Sequence, residues 1–196
     1  MVKLGYVRAS ASVRAPRITS FSPISVDRAL DMYRRLGGRL DHPTLAPGSW
    51  DLTFGDLLVE LDEELHFNRY RALTLEPEWT ASLPWRNSYH LYAVEFESRC
   101  LGAGKWGARW TSQSSARLLG APDAPGVFGA AGSPRWKQRA LYDSLKDLAA
   151  YAGQVRLARL SIYDMIGEAR LGAVLKESAV ADLAALRELI EARTHA

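Results

Sequence analysis

Apolar residues recur along this chain with two spacings, about 3.6 and 2, and the switches between them mark out its elements. Val26, Leu30 and Tyr33 form a helical stripe, Arg34 and Arg35 fall in the last turn, and Gly37-Gly38 stops the run. This pattern predicts a helix from about Val26 to Leu36. After a loop holding Pro43, Pro47 and Gly48, Trp50–Phe54 and Leu57–Asp62 read as short strands. Gly55-Asp56 between them suits a two-residue type II′ hairpin turn. Further on, Ser133-Pro134 reads as an N-cap followed by proline at the first helical position. The helix it opens runs to about Ala152, with Leu141, Leu145, Leu148 and Ala152 as its buried stripe, and ends at Gly153. A strand over Val155–Tyr163 follows. The last helix starts near Ser178 on a stripe of Ala179, Leu183, Leu186 and Ile190.

Neither spacing dominates from His66 to Gly132. This stretch holds Trp79, Trp85, Trp106 and Trp110, a predicted helix near Asn87–Leu101, and a Gly/Pro loop from Ala121 to Gly132. The order helix, strand, strand, insertion, helix, strand, helix predicts an α/β or α+β fold, a mixed central sheet flanked by helices. At 196 residues the chain forms one domain, with an N-terminal arm (1–25) and a Trp-rich insertion (68–133).

Composition narrows the chemistry. The single cysteine, Cys100, excludes an internal disulfide and Cys-rich zinc sites. The histidines are His42, His66, His90 and His195, with no helical ligand spacing among them, so a bound metal is expected to be a hard one held by carboxylates. No apolar run approaches the roughly 20 residues of a membrane span. The N-terminus lacks an apolar signal core, so the expected location is cytoplasmic. The net charge is +3, and Lys3, Arg8, Arg14 and Arg17 sit in an N-terminal stretch without an acid. Such an arm can follow a phosphate backbone; the other reading of the same charges is a frayed, solvated terminus.

The informative stretch is Trp50–His66. If Gly55-Asp56 is the turn, Phe54 pairs with Leu57, Thr53 with Leu58 and Leu52 with Val59, and Asp51 lies opposite Glu60. Cross-strand partners share a face. Asp62, two residues past Glu60, shares it too. Three carboxylates then converge, and like charges placed so destabilise a sheet unless something positive lies between them. Mg²⁺ or Mn²⁺ fits that place, and can activate water for phosphodiester hydrolysis. The alternative is an acidic outer face on a surface hairpin. Leu57, Val59 and Leu61 on the other face, with Leu58 on the acidic one, instead mark a strand covered on much of both sides.

These residues resemble the core motif of PD-(D/E)XK endonucleases, closest to the very-short-patch-repair-like and homing-type branches. The resemblance rests on Asp51, on Leu58-Val-Glu60-Leu-Asp62-Glu-Glu64-Leu-His66, on Gln138-Arg139-Ala-Leu-Tyr-Asp143-Ser-Leu-Lys146 and on Val155-Arg-Leu-Ala-Arg159-Leu-Ser-Ile-Tyr163. It implies Asp51 and Glu60 as metal ligands and Glu64 and His66 as neighbours of the site. Asp62 stands where the superfamily commonly has Lys, and Lys146 would supply that charge from the helix. Glu63 replaces the glycine usual after Glu-x-Asp, and the insertion between the two halves is long.

Several residues carry two readings. His66 is a general base or phosphate contact, or the cap of a following helix. Lys146 either overhangs the site or lies on a solvated face, with Arg139 and Asp143 paired at i,i+4. The insertion tryptophans, near Arg86, Arg99, Lys105 and Arg109, are core for the most part or stack bases. Gly126–Gly132 follows no clear strand and precedes no Lys-Ser/Thr, so it reads as a loop and not a phosphate-binding P-loop. The expectation that results is a Mg²⁺- or Mn²⁺-dependent endodeoxyribonuclease of defence, restriction or repair. Its metal ligands would be Asp51, Glu60 and Asp62, with His66 and Lys146 in catalysis and Arg8, Arg14, Arg17, Arg69, Lys137 and Arg139 on the nucleic acid. Duplex DNA is the expected partner, and a homodimer would suit duplex cutting. The alternatives are a non-catalytic nucleic-acid-binding or assembly protein on the same fold, and a sugar or nucleotide hydrolase with paired carboxylates.

Overall fold

A computed structural model describes Met1 and residues 4–9, 11–104 and 109–195. Lys3, Lys105 and Trp106 lie outside the described residues. The elements run α1 (Pro23–Arg35), β1 (Leu52–Phe54), β2 (Leu57–Asp62), α2 (Arg69–Thr74), α3 (Arg86–Glu95), α4 (Glu97–Gly104), α5 (Gln113–Leu119), α6 (Pro134–Tyr151), β3 (Arg156–Ser161), β4 (Met165–Ile166), β5 (Ala169–Arg170), α7 (Leu171–Leu175), α8 (Leu183–Ala192) and β6 (Thr194–His195). The fold is mixed α/β, as the alternation of periods predicts. Among the described residues, no helix is long and apolar enough to cross a membrane.

The main sheet has the order β1-β2-β3-β6. β1 and β2 form the expected hairpin, with Leu52 opposite Val59, Thr53 opposite Leu58 and Phe54 opposite Leu57. Gly55 takes φ 61° while Asp56 does not turn left-handed, the combination a type II′ turn requires. β2 then pairs in parallel with β3, which places Glu60 beside Arg159 and Asp62 beside Ser161. A parallel pair needs a crossover, and the whole insertion plus α6 supplies it. One face of the sheet carries Leu57, Val59, Ala158 and Leu160 against Ile190 of α8 and Leu171 of α7. Leu58 and Leu157 on the other face join Phe67, Trp85, Tyr89 and Ala150.

Helix α6 is the axis of the domain. Ser133 accepts from the Trp136 amide at 3.2 Å and Pro134 occupies the first turn, as its sequence predicts. Leu141, Leu145 and Leu148 are buried, whereas Ala152 caps the helix at the surface. Of the two readings of its charged face, the solvated one does not hold: Asp143, Lys146 and Asp147 are buried too. Three further expectations change. In α1 the buried face is Ser25, Ala29, Met32 and Tyr33, with Val26 and Leu30 only half-buried. The predicted helix near Asn87–Leu101 breaks at Phe96 into α3 and α4. The last helix begins at Leu183, where Asp182 accepts from the Ala184 and Ala185 amides at 3.0 Å, a stronger start signal than Ser178.

The N-terminal arm is fastened, not frayed. Arg8 bridges Phe54 and Arg14 bridges Ser49 in antiparallel fashion, and the Ala9 and Ala15 amides donate to Thr53 and Gly48 at 2.9 and 2.7 Å. This covers the outer edge of β1. Of the insertion tryptophans, Trp85 and Trp110 are buried.

Tyr33 ties α1 to the loop after it. Its hydroxyl donates to the Leu118 carbonyl at 2.8 Å and accepts from the Arg39 and Leu40 amides at 2.9 and 2.8 Å. Gly38 packs on the ring so closely that a Cβ there would overlap it. Tyr33→Phe leaves the Leu40 amide without its acceptor and the Leu118 carbonyl with the Arg39 amide alone, at 3.2 Å, so a loss of about 1 kcal/mol is expected in urea unfolding.

Candidate functional site

The parallel pairing of β2 with β3, with α6 laid across both, gathers a set of charged side chains that are remote in sequence. Asp51 and Glu60 meet across the hairpin as the turn dictates. The Asp51 amide donates to Glu60 Oε1 at 3.2 Å, and Asp51 Oδ2 accepts from the Leu61 amide at 2.9 Å, so each acid also fastens the other's strand. Asp51 is exposed and Glu60 is buried.

The positive charge these acids need comes from the protein itself. Lys146 Nζ donates to both Glu60 oxygens at 2.7 Å and to the Ser49 carbonyl at 2.9 Å. Lys146 therefore overhangs the site from α6, and is not part of a solvated face. Arg159 of β3, wholly buried, reaches four carboxylates: Glu60 at 3.5 Å, Asp62 at 3.4 Å, Asp143 at 3.0 Å and Asp147 at 3.3 Å. Arg71 of α2 closes the far side on Asp147 at 2.7 Å.

Asp62 shares the face of Glu60 and its partner Arg159, but also meets His66. His66, in the turn Glu64–His66, sets Nδ1 3.0 Å from Asp62 and 2.8 Å from Asp143. Both Asp62 oxygens are buried without a well-aligned hydrogen bond. The expected triple of Asp51, Glu60 and Asp62 is thus divided. Among the described residues, the three groups close enough to share one ion are Asp62, His66 and Asp143. One nitrogen and two carboxylates, with orphaned oxygens on Asp62, fit a divalent cation of the Mn²⁺ kind better than Mg²⁺, which keeps to oxygen. Asp51 and Glu60 offer oxygen alone.

Burial pushes the Glu60 carboxyl up to about 7, although Arg159 and Lys146 pull it down. Burial opposes charge on His66, but Asp143 and Asp62 outweigh it and lift the imidazole to about 9. Burial also works against ionised Asp62 and Asp143; Arg159 and His66 outweigh it and hold both below the usual carboxylate range. The charges agree with these directions. Glu60, Asp62, Asp143 and Asp147 face Arg71, Lys146 and Arg159, and a protonated His66 completes the balance. A group raised on folding stabilises fully below its unfolded value and loses that contribution as pH rises through its folded value. In metal-free buffer, stability is therefore expected to fall as pH rises from 6.5 towards 9, by up to about 3 kcal/mol from His66. Urea midpoints across that window, compared with His66→Gln, check this: the variant's curve is flatter.

An open cavity of about 480 Å³ lies over the cluster, and Asp51, Glu60, His66, Asp143 and Lys146 line it. Arg135, Arg139 and Tyr142 of α6 line it as well. Arg139 is the one nucleic-acid contact expected from sequence that faces this cavity. Arg69 is committed to Glu97 at 2.8 Å, with its guanidinium over Phe128. Lys137 is buried over the Tyr70 ring, so neither it nor Arg69 is a free phosphate contact. Arg8, Arg14 and Arg17 are exposed on the arm, and Arg14 bridges Ser49, whose carbonyl holds Lys146.

Asp143, Arg159 and Arg135 were absent from the residues expected at the site. For Arg159 a signal existed: a lone cation between Leu157-Ala158 and Leu160 in an apolar strand must meet buried acid.

A family model described as a family of unknown function (DUF7255) matches residues 31–177, a span that includes every residue of the site. No curated protein and no solved structure matches the chain.

Proposed function

We propose that this chain, which belongs to the family of unknown function DUF7255, is a divalent-metal-dependent endonuclease that hydrolyses phosphodiester bonds in DNA. One observation carries the reading. Asp51 and Glu60 stand side by side across a hairpin, Lys146 from the neighbouring helix holds both Glu60 oxygens, and all three line an open cavity with Arg135 and Arg139. An acid just before β1 beside one on β2, with a lysine reaching the second from α6, matches what the sequence resemblance implies.

Asp51 and Glu60 would hold a Mg²⁺ or Mn²⁺ ion, which supplies Lewis acidity and a water of lowered pKa. The other steps belong to the chain's own residues. Arg135 and Arg139 offer forked donors that suit a phosphodiester and orient it over the two acids. Lys146 holds Glu60 in one rotamer and stands where charge builds on the phosphate. His66, its Nδ1 fixed between Asp62 and Asp143, presents a protonated imidazole to the cavity as a proton donor to a leaving oxygen.

Supercoiled plasmid incubated with the protein tests this. Nicking in Mg²⁺ or Mn²⁺ that stops on addition of EDTA is the expected result. Absence of nicking on plasmid, single strand and RNA in either metal overturns it. A second reading, a nucleic-acid-binding protein without chemistry, is favoured by one observation: the Glu60 oxygens already have donors in Lys146 and Arg159. It predicts DNA binding that metal does not change and no cleavage.

A further inference from the structure

A second cavity, of about 550 Å³, opens on the other side of the turn that carries His66. Glu63 lines the first cavity and its neighbour in sequence, Glu64, lines the second. Tyr163 lines the second, and Phe96 packs behind it. Phe96 and Tyr163 stack with centroids 3.8 Å apart and planes 23° from parallel. Arg99 lies over Phe96 at 5.3 Å, and Arg170 lies over Phe96 at 5.3 Å and Tyr163 at 6.0 Å. Lys176, just past α7, adds a third cation to the lining.

We infer that this cavity is a phosphate-binding subsite for the DNA that engages the first one, holding the backbone a short way from the reacting phosphate. The inference deepens the nuclease reading and rests on it for the identity of the polyanion. Three observations carry it. Arg99, Arg170 and Lys176 are exposed and, among the described residues, none has a carboxylate within ion-pair distance. Their electrostatic partners are ring faces, which position a guanidinium while leaving its N–H groups free for an incoming anion. The Tyr163 hydroxyl is buried with no hydrogen-bond partner, on a residue that is 6% exposed and lines this cavity. A buried hydroxyl without a partner costs free energy, and a phosphate oxygen would satisfy it. Among the described residues Glu64 is the one acid in the lining, against three cations. Consecutive residues line the two cavities, so a repeating polyanion is the kind of ligand that can engage both.

The test is fluorescence anisotropy with a labelled DNA duplex and its single strand, in EDTA so that nothing is cleaved. Wild type is compared with Arg99→Gln/Arg170→Gln/Lys176→Gln, with Tyr163→Phe and with Glu60→Gln. The triple variant is expected to bind at least about tenfold more weakly and to lose about 2–3 from the slope of log affinity against log salt. Tyr163→Phe is expected to weaken binding several-fold without lowering the unfolding midpoint, because it removes no internal hydrogen bond. Unchanged affinity and slope in the triple variant, with wild-type cleavage intact, overturn the subsite and leave the nuclease reading standing. Weakened binding by the triple variant of a wild type that never cleaves supports the subsite and overturns the nuclease. No DNA binding by wild type or Glu60→Gln overturns both. Binding of a phosphopeptide through the same three cations, without DNA binding, overturns the assignment to nucleic acid.

Discussion

Arg159→Met is expected to cost about 3–5 kcal/mol, the range for removing one partner from a buried ion network. Methionine fills most of the volume, so the loss is mainly electrostatic. Glu60, Asp62, Asp143 and Asp147 lie within 3.0 to 3.5 Å of this one guanidinium, which has no solvent exposure. Arg71 still meets Asp147 and Lys146 still meets Glu60, but His66 alone remains for Asp62 and Asp143. Lysine in place of arginine is a poor substitute, because a single ammonium cannot reach carboxylates on both β2 and α6 with the geometry of a planar fork.

The pH dependence separates loss of charge from loss of packing. In the wild type, Asp62 and Asp143 are held below their usual range, so their contribution is present above about pH 4 and lost as pH falls. Without Arg159, burial acts on the same carboxylates with less opposition and raises them, and their contribution reverses sign. The variant should then gain stability relative to wild type between pH 7 and pH 5. Urea midpoints at those two values decide it; a constant difference at both would mean that Arg159 acts through volume alone.

This network explains which parts of the site the sequence discloses. The Asp51–Glu60 juxtaposition follows from local geometry: a two-residue turn fixes the register, and the register fixes the faces. The observed pairing of Leu52 with Val59 agrees residue for residue. The cap of α6 is equally local. Its polar side is not. Periodicity says that Asp143, Lys146 and Asp147 share a side away from Leu141 and Leu145, but not whether that side meets water or buried charge. The partners that settle it, Arg159, Glu60 and Arg71, come from other elements, and only the parallel pairing of β2 with β3 brings two of them under the helix. The same gap hid Lys146 and Arg159 as cations already beside Glu60. Pattern likewise misplaced Lys137 and Arg69, since a cation's sequence neighbours do not reveal whether a ring or an acid already holds it.

Glu60→Gln is the second large effect: under the proposed nuclease function, DNA cleavage is expected to fall by about 10³-fold or more while the fold persists. A thousandfold loss corresponds to about 4 kcal/mol of transition-state stabilisation, a reasonable share for a carboxylate that holds a catalytic cation. The structural cost should be small by comparison. Burial already pushes the Glu60 carboxyl up to about 7, so near neutrality the protein gains little from its ionised form. Glutamine keeps the shape, and its carbonyl oxygen still accepts from Lys146. The charge left on Lys146 is the main penalty, and Glu60→Gln/Lys146→Met removes it. If Glu60 serves only as a partner for that lysine, the single variant loses cleavage in proportion to its loss of stability. If Glu60 serves the chemistry, the single variant loses cleavage far beyond its loss of stability. Because Lys146 itself acts in cleavage, the double variant is read for stability alone, where it isolates the Glu60–Lys146 coupling; initial nicking rates of wild type and Glu60→Gln in Mg²⁺, read beside the urea midpoints, distinguish the two outcomes.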